Sequence, residues 1–247
     1  MSINPIQFQR GLSLPDFLSQ YGTEAQCESA LELMRSLGIS WRAAWRLKHK
    51  ILRAMLEQEA DRVLRGRVEV DDAYLGGTRS GKRGRGAAGK RPFVIAVETR
   101  PDPEGGLPHP VYVRFDPLPD FCQTTLARWA EQALDVDTLM VSDGLVGFLA
   151  AGAQVTHHQR VVVHPRKSSE LDCFHWINTL LGNLKNSIRG TCHGFKVRKY
   201  AARYLAEAQY RFNRRFDLPS LVPRLLFACV HTPPCTEKQL KVAELWT

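Results

Sequence analysis

The order of strand-like and helical segments is the feature that most constrains how this chain can fold. Three strand-like runs follow one another, a helical segment (123–134) separates the third from a fourth, and the chain turns helical after a fifth (169–190 and 196–216). The strand-like runs are RVEVDDAYL (67–75), PFVIAVE (92–98), PVYVRF (110–115), TLMVS (138–142) and RVVVH (160–164). This order predicts an α/β domain with a mixed five-stranded sheet and helices on both faces.

Two helical segments precede the strands, within residues 29–64. Gly38-Ile39-Ser40 interrupts the helical pattern, and Ser40 is a suitable N-cap for the second helix. A helix, a glycine turn and a basic second helix outline a helix-turn-helix. Its candidate DNA contacts are Arg42, Arg46 and Lys48. A plain helical hairpin with a solvated basic face explains the pattern equally well.

The charge of the chain indicates the class of partner. Its 247 residues carry 34 Lys and Arg against 25 Asp and Glu, for a net charge of +9. This excess favours nucleic acid first and an anionic membrane surface second. No apolar run approaches the roughly 18 residues that span a bilayer, so no membrane partner is expected. The six cysteines include no CxxC pair, which argues against a structural zinc site and a disulfide framework.

Two aspartates are candidates for a functional site, because this order of elements places functional side chains at the ends of strands. Asp71 lies in the first strand, and Asp143 directly follows the fourth, within LMVSDGLVG (139–147). Neighbouring parallel strands would bring the two carboxylates together, and such a pair requires a divalent cation such as Mg²⁺ or Mn²⁺ between its charges. The alternative for Asp143 is a simple Asp-Gly turn. Asp72 competes with Asp71 because adjacent strand residues point to opposite faces, and periodicity alone does not decide between them.

A basic, glycine-rich loop follows the first strand. Its sequence, TRSGKRGRGAAGKR (78–91), contains no acidic residue. The cations are Arg79, Lys82, Arg83, Arg85, Lys90 and Arg91. Such a loop suits a phosphodiester backbone, since its glycines allow close approach. A solvated hairpin loop is the alternative.

Several sequence blocks together resemble a known family. They are GTEAQCE (22–28), VEVDDAYLGG (68–77), VSDGLVGF (141–148), FHWINTLLGNLKNSIRGTCHGF (174–195) and KYAARYLAEAQYRFNRRFDL (199–218). In this order they resemble bacterial insertion-sequence transposases with an RNase H-like DDE domain, over about residues 62–220. The resemblance is to the DDNK branch, in which asparagine replaces the third acid and lysine follows seven residues later.

The resemblance implies a catalytic set of Asp71, Asp143, Asn178 and Lys185. The first three would hold two Mg²⁺ or Mn²⁺ ions, and Lys185 would lie near the scissile phosphate. The implied activity is metal-dependent DNA strand cleavage and strand transfer at the element ends. The implied partners are double-stranded DNA, as terminal inverted repeats and target, and further copies of the chain in the DNA complex. The implied location is the bacterial cytoplasm, at the nucleoid.

Three further residues lie near these blocks with undecided roles, namely His158, Glu170 and His175. Each has a structural alternative to contact with the metal site. The seven-residue spacing of Asn178 and Lys185 is close to two helical turns, so the two share one helix face.

The N-terminal region departs from the family pattern. Members of the branch carry a cysteine zinc ribbon before the helix-turn-helix, whereas here Cys27 runs directly into the first helical segment. The expected organisation is a shortened remnant (1–28), a helix-turn-helix-like segment (29–64), the catalytic domain (65–220) and a C-terminal tail (221–247). We expect the missing ribbon to impair recognition of element ends. The alternatives are a non-catalytic DNA-binding remnant that inhibits full-length copies, and an RNase H-like nuclease.

Overall fold

The computed structural model describes residues 30–76, 90–106, 108–162, 172–191 and 197–242. The helices are α1 (Ala30–Leu37), α2 (Trp41–Glu59), α3 (Gln123–Ala133), α4 (Gly147–Gly152), α5 (His175–Thr191), α6 (Val197–Phe212), α7 (Leu218–His231) and α8 (Glu237–Val242). The strands are β1 (Arg67–Leu75), β2 (Arg91–Arg100), β3 (His109–Pro117), β4 (Leu139–Ser142) and β5 (His157–Arg160). A 3₁₀ turn, Asp172–Phe174, leads into α5.

The five strands form one mixed sheet in the order β3-β2-β1-β4-β5. The central strand β1 pairs antiparallel with β2 and parallel with β4, while β2 and β3 pair antiparallel and β4 and β5 pair parallel. The predicted mixed five-stranded sheet and RNase H-like α/β class are therefore confirmed.

Helices cover both faces of this sheet, and a separate hydrophobic core lies on each face. The first core lies against α3 and α4, and its buried members include Val94, Leu126, Trp129, Met140 and Phe148. The second lies against α5 and α6, and its buried members include Phe93, Ile95, Phe174, Ile177, Leu181 and Leu205. Alternation along β1 sends Val68 and Val70 into the first core and Ala73 and Leu75 into the second.

The fifth strand lies earlier than the sequence predicted. We expected it at 160–164, whereas β5 is His157–Arg160, with His157 opposite Leu139 and Arg160 opposite Ser142. The prediction followed the valine run after Arg160. An edge strand with largely exposed side chains needs no such run, because its backbone hydrogen bonds to β4 define it.

The turn between α1 and α2 follows the sequence prediction. Gly38 has a φ of 62°, a left-handed conformation that glycine adopts without strain. Ser40 is the N-cap of α2, and its Oγ accepts a hydrogen bond from the backbone N–H of Ala43 at 3.3 Å. This bond satisfies one of the free donors at the start of the helix.

Helix α2 packs along the C-terminal helices. Its contacts with α6 and α7 form a third core of Leu52, Met55, Tyr210 and Leu225. The segment 221–247, which the sequence assigned to a tail, contains most of α7 and all of α8. None of the helices in the described part of the chain is long and apolar enough to cross a membrane.

Side chains in the last turn of α6 and just after it bond to the outer backbone groups of the edge strand β3. Asn213 contacts both groups of Val113, accepting from its N–H at 2.8 Å and donating to its carbonyl at 3.0 Å. Gln209 accepts from the N–H of Phe115 at 3.0 Å. Arg215 donates to two carbonyls nearer the start of the strand. These bonds occupy groups that would otherwise be open to another strand.

The buried carboxylate of Glu59 joins the end of α2 to the end of α6. It is 2% exposed and accepts from Arg62 at 3.1 Å, from Gln209 at 3.1 Å, from Asn213 at 2.8 Å and from Arg214. Burial alone would raise the pKa of Glu59. The hydrogen bond from Arg214 and the charges of Arg62 and Arg214 outweigh burial and hold the pKa below its usual value. The ionised form therefore stabilises the fold.

Replacing this carboxylate tests its role through the pH dependence of stability. We expect Glu59→Gln to lower the free energy of unfolding by about 3 kcal/mol near neutral pH, because two arginines lose their buried partner. A folded pKa below the unfolded one contributes stability that is present above about pH 4.5 and lost as the pH falls through the folded pKa. The gap between wild type and variant in denaturant titrations should therefore narrow below about pH 4.5.

The matched control is Glu131→Gln, which removes an exposed glutamate on α3. This change should stay within about 0.5 kcal/mol of wild type at every pH. A gap for Glu59→Gln that widens on acidification would mean that the pKa is raised rather than lowered.

Candidate active site

The parallel ladder between β1 and β4 brings two of the predicted acids together. Its last pair is Val70 opposite Ser142, so the next residue on each strand is an aspartate. Ligand oxygens of Asp71, Asp72 and Asp143 all lie within 4.8 Å of one another. Each of these three side chains is partly buried. The structure thus brings Asp71 and Asp143 together and adds Asp72, whose role the sequence left undecided.

Local backbone hydrogen bonds orient two of these carboxylates. Asp71 Oδ1 accepts from the N–H of Asp72 at 2.8 Å, and Asp143 Oδ1 accepts from the N–H of Leu145 at 2.9 Å. The second bond closes a turn directly after β4, of the kind that aspartate favours. Asp143 therefore both closes an Asp-Gly turn and belongs to the acid cluster.

The donor set of this cluster fits a hard divalent cation. Carboxylate oxygens are the ligands that Mg²⁺ and Mn²⁺ prefer. Three carboxylates this close together repel one another when ionised, and a bound cation would relieve that repulsion. Asp71, Asp72 and Asp143 are thus the side chains of the described residues with the chemistry and spacing to hold such an ion.

The two faces of β1 distinguish Asp71 from Asp72. By alternation Asp71 shares a face with Ala73 and Leu75, which pack in the core under α5 and α6. Asp72 shares a face with Val70, in the core under α3 and α4. Helix α5 carries Asn178, the predicted third ligand, and packs on this same face of the sheet. Asp71 is therefore the acid that faces the helix of Asn178.

The remaining two predicted catalytic residues lie on α5. Asn178 is in the first turn, half-buried, and its amide nitrogen donates to the carbonyl of Phe174 at 2.9 Å. Its neighbour Ile177 is fully buried in the core that contains Ala73 of β1, which places this turn over the sheet. Lys185 is exposed, about 10.5 Å further along the helix axis.

Glu69 is a buried acid on the same face of β1 as Asp71. It is 1% exposed and paired with Arg67 at 2.5 Å. Burial raises the pKa of Glu69, opposed by the hydrogen bond and charge of Arg67 and by the nearby charge of His175. His175, whose role the sequence left undecided, therefore lies close to this acid, whereas Glu170 lies outside the described residues.

The basic loop joins β1 to β2 at the end of the sheet beyond the acids. Arg79, Lys82, Arg83 and Arg85 lie outside the described residues, while Lys90 directly precedes β2 and Arg91 is its first residue. Arg91 pairs with Leu75, and Asp71 pairs with Ile95. Four residues of strand correspond to roughly 13 Å, so the loop leaves the sheet within that distance of the acids.

The predicted DNA contacts on α2 already have partners within the protein. Glu237 of α8 pairs with Arg42 at 2.9 Å and with Arg46 at 3.7 Å. The hydrogen bond from Arg42 is the largest cause that lowers the pKa of Glu237 to about 2. Lys48 lies over the ring of Tyr204, 5.2 Å from its centroid. No local sequence pattern indicates these contacts, since α8 is almost 200 residues from α2.

His158, the other residue with an undecided role, lies on β5 beside the acidic turn. Its Nε2 is 2.8 Å from Oγ of Ser142, the residue before Asp143. Burial, and then the charge of Arg160, lower the pKa of His158. Neither Ser142 nor Arg160 was singled out by the sequence, because each acts through a side-chain hydrogen bond to a backbone carbonyl of the turn, which no motif marks.

A family model covers more than half of this chain. The family model for the ISXO2-like transposase domain matches residues 63–213, a span that includes all four predicted catalytic positions. No curated protein matches the chain. A solved structure described as "Crystal structure of a pre-cleavage Mos1 transpososome" is similar at 7% identity over 88% of this chain and 78% of that chain. Its TM-score of 0.23 is too low to support an argument.

Charge repulsion in the cluster predicts an unusual effect of neutralising one acid. Asp71→Asn or Asp143→Asn keeps an oxygen for the local backbone bond and removes one negative charge. In EDTA, either change should stabilise the protein by on the order of 1 kcal/mol. Wild type should gain stability on adding Mn²⁺ at about a hundred times its Kd, by about 2.7 kcal/mol, and both variants should lose that gain.

Thermal unfolding with and without Mn²⁺ measures both effects. Asp137→Asn, an exposed aspartate before β4, is the control and should behave like wild type. A variant at 71 or 143 that is destabilised in EDTA and keeps the full Mn²⁺ response would contradict the assignment.

Proposed function

The chain belongs to the ISXO2-like transposase family, and on this premise we propose that it cleaves and joins DNA strands at the ends of an insertion sequence with the help of divalent cations. The observation that carries this proposal is the acid cluster at the end of the β1–β4 ladder. An Asp-Gly turn on the surface has no need of a second and third carboxylate within 4.8 Å. A site for hard cations, by contrast, requires several carboxylates at such distances.

The proposed catalytic residues have distinct roles. Asp71 and Asp143 supply carboxylate ligands, and Asn178 supplies a neutral amide oxygen that binds a hard cation less strongly. Two Mg²⁺ or Mn²⁺ ions bound there would activate the attacking water or hydroxyl and stabilise the leaving oxygen of the phosphodiester. Lys185, exposed on α5, contributes a positive charge to the scissile phosphate. Asp72 is a further candidate ligand because its oxygen lies in the same cluster.

The proposed substrate is double-stranded DNA, held by backbone phosphates near the acids. A net charge of +9 favours such a polyanion, and the basic loop leaves the same end of the sheet as the acid cluster. Cleavage needs acids, metal and a positioned phosphodiester. Selecting an element end needs base readout. The absence of a ribbon motif between Cys27 and α1 supports cleavage with weak preference for the inverted repeats.

Two alternatives share this site. A non-catalytic DNA-binding remnant would bind DNA without cutting it, and an RNase H-like nuclease would cut without joining. The sequence blocks and the family span favour the transposase, because they include the acids and the helix with Asn178 and Lys185. A homo-oligomer on DNA belongs to the same proposal, since joining two ends to a target requires more than one site.

Cleavage of supercoiled plasmid tests this proposal directly. Purified wild type should nick DNA with Mn²⁺ or Mg²⁺ and stop in EDTA, and Asp71→Asn should lower the rate at least about a hundredfold. The control Asp137→Asn should retain the wild-type rate. Nicking that is absent with both metals, or that survives Asp71→Asn, would contradict the proposed active site.

The same preparation distinguishes end selection from cleavage. Linear substrates carrying the inverted repeat or a scrambled copy should be cut at rates within a few-fold of each other. A large preference for the repeat would mean that the described helices, or the segment before them, read base sequence without the ribbon.

The salt dependence of DNA binding tests the role of the loop. Arg83→Gln, Arg85→Gln and Lys90→Gln together should weaken binding to any sequence, and should flatten the log–log salt slope by up to about 0.9 per lost phosphate contact. The matched comparison is Arg42→Gln with Arg46→Gln, which removes cations that Glu237 already pairs. This pair should change the slope less. An unchanged slope for the loop variant would exclude the loop from the DNA interface.

A further inference from the structure

The short edge strand β5 bonds to the turn that carries Asp143 at several points. The backbone N–H of Val161, just after β5, donates to the carbonyl of Ser142 at 2.8 Å. The guanidinium of Arg160 donates to the carbonyl of Gly144 at 2.5 Å. The residues on either side of Asp143 are therefore both fixed by β5. Their position does not depend on the β1–β4 ladder alone, which has ended at Ser142.

A hydrogen-bonded chain of side chains reaches the backbone of Asp143 itself. Ser142 is fully buried, and its Oγ donates to the carbonyl of Asp143 at 3.2 Å. The same Oγ is 2.8 Å from Nε2 of His158. A hydroxyl has one proton to donate, so both bonds form together when neutral His158 donates from Nε2 to the serine oxygen. The order of donation is then His158 to Ser142 to the carbonyl of Asp143.

The fold leaves a specific space for the imidazole. A side-chain carbon at Gly152, the last residue of α4, would come within 2.0 Å of Nδ1 of His158. Glycine at this position lets the end of α4 lie directly against the ring. The ring is thus held from one side by α4 and from the other by Ser142, which leaves Nε2 little freedom to turn away.

We propose that His158 is a positioning residue for the acid site, acting through Ser142 to hold Asp143 beside Asp71. It has no role as a ligand or as a proton donor to DNA in this proposal. The inference rests on the proposed function, because it concerns the geometry of the same cation site. Its physical basis is that partners behind a ligand set the ligand's orientation, and losing one typically costs 10–100-fold in metal affinity.

The direct test is the affinity of the full chain for Mn²⁺, measured without DNA from the electron paramagnetic resonance signal of the free ion. His158→Ala should weaken Mn²⁺ binding about tenfold. His158→Gln should stay within about threefold of wild type, because a glutamine amide can donate to Ser142 from nearly the same place. His157→Ala, an exposed neighbour on the same strand, is the matched control and should bind like wild type.

A double-mutant cycle separates this pathway from general damage to the fold. Ser142→Ala alone should weaken Mn²⁺ binding about as much as His158→Ala, and the double variant should be no weaker than either. Thermal unfolding in EDTA gives the folded fraction of each variant. If His158→Ala does not fold, Ser142→Ala and His158→Gln carry the test.

Each outcome has a defined meaning. Wild-type affinity in His158→Ala or in Ser142→Ala overturns the inference, as do losses that multiply in the double variant. Failure of His158→Gln to restore affinity would show that ring packing, rather than donation from Nε2, is what matters, and would also overturn it. If wild type itself binds no Mn²⁺, the proposed cation site is wrong, and that result is distinct from the others.

Discussion

The parallel pairing of β1 with β4 is the constraint on which the site depends. The ladder has four residue pairs and stops at Ser142, while β1 continues for five residues against β2 alone. The acids therefore lie where one strand ends and its neighbour goes on, at the carboxyl edge where open α/β sheets commonly place ligands. A slip of one residue in this register would turn one acid to the opposite face and separate the pair.

The two-sided core makes that register costly to change. Val68 and Val70 are fully buried on one face of β1, and Ala73 and Leu75 are nearly so on the other. Any slip would exchange these side chains between two cores of different shape and leave acids facing apolar helices. The two edge strands, β3 and β5, make different kinds of contact. Strand β3 is covered by polar side chains from the end of α6, whereas β5 contributes side chains to the acidic turn.

The sequence predicted the parts of the fold that follow from local patterns. Apolar runs gave four of the five strands within a few residues, and Ser40 was recognisable as a helix cap from its position after a glycine turn. The pairing of Asp71 with Asp143 followed from strand order. Strand β5 was predicted at the wrong residues because its side chains are mostly exposed, so no apolar run marks it. Only its backbone pairing with β4 shows where it lies.

Contacts between distant parts of the chain were the ones that the sequence did not reveal. The pairing of Arg42 with Glu237 joins residues 195 positions apart, and no local pattern marks either partner. Strand alternation left Asp71 and Asp72 as alternatives and the family resemblance chose Asp71, whereas in the fold the carboxylates of both residues lie within 4.8 Å of Asp143. His158 attracted notice as a histidine near the site, but its role depends on Ser142, which looks like any small residue in an apolar strand.

The buried carboxylate of Glu59 has a geometric consequence for any DNA that touches α2. Because four donors from two regions of the chain converge on it, the end of α2 cannot swing relative to the sheet without breaking the hydrogen bonds of a buried carboxylate. Helix α2 is thus held in one position relative to the sheet and does not move as a separate unit. If the protein cuts DNA at the acids as proposed, a duplex lying along α2 would reach them at one set distance. The number of base pairs between that contact and the cut would then be determined by the fold.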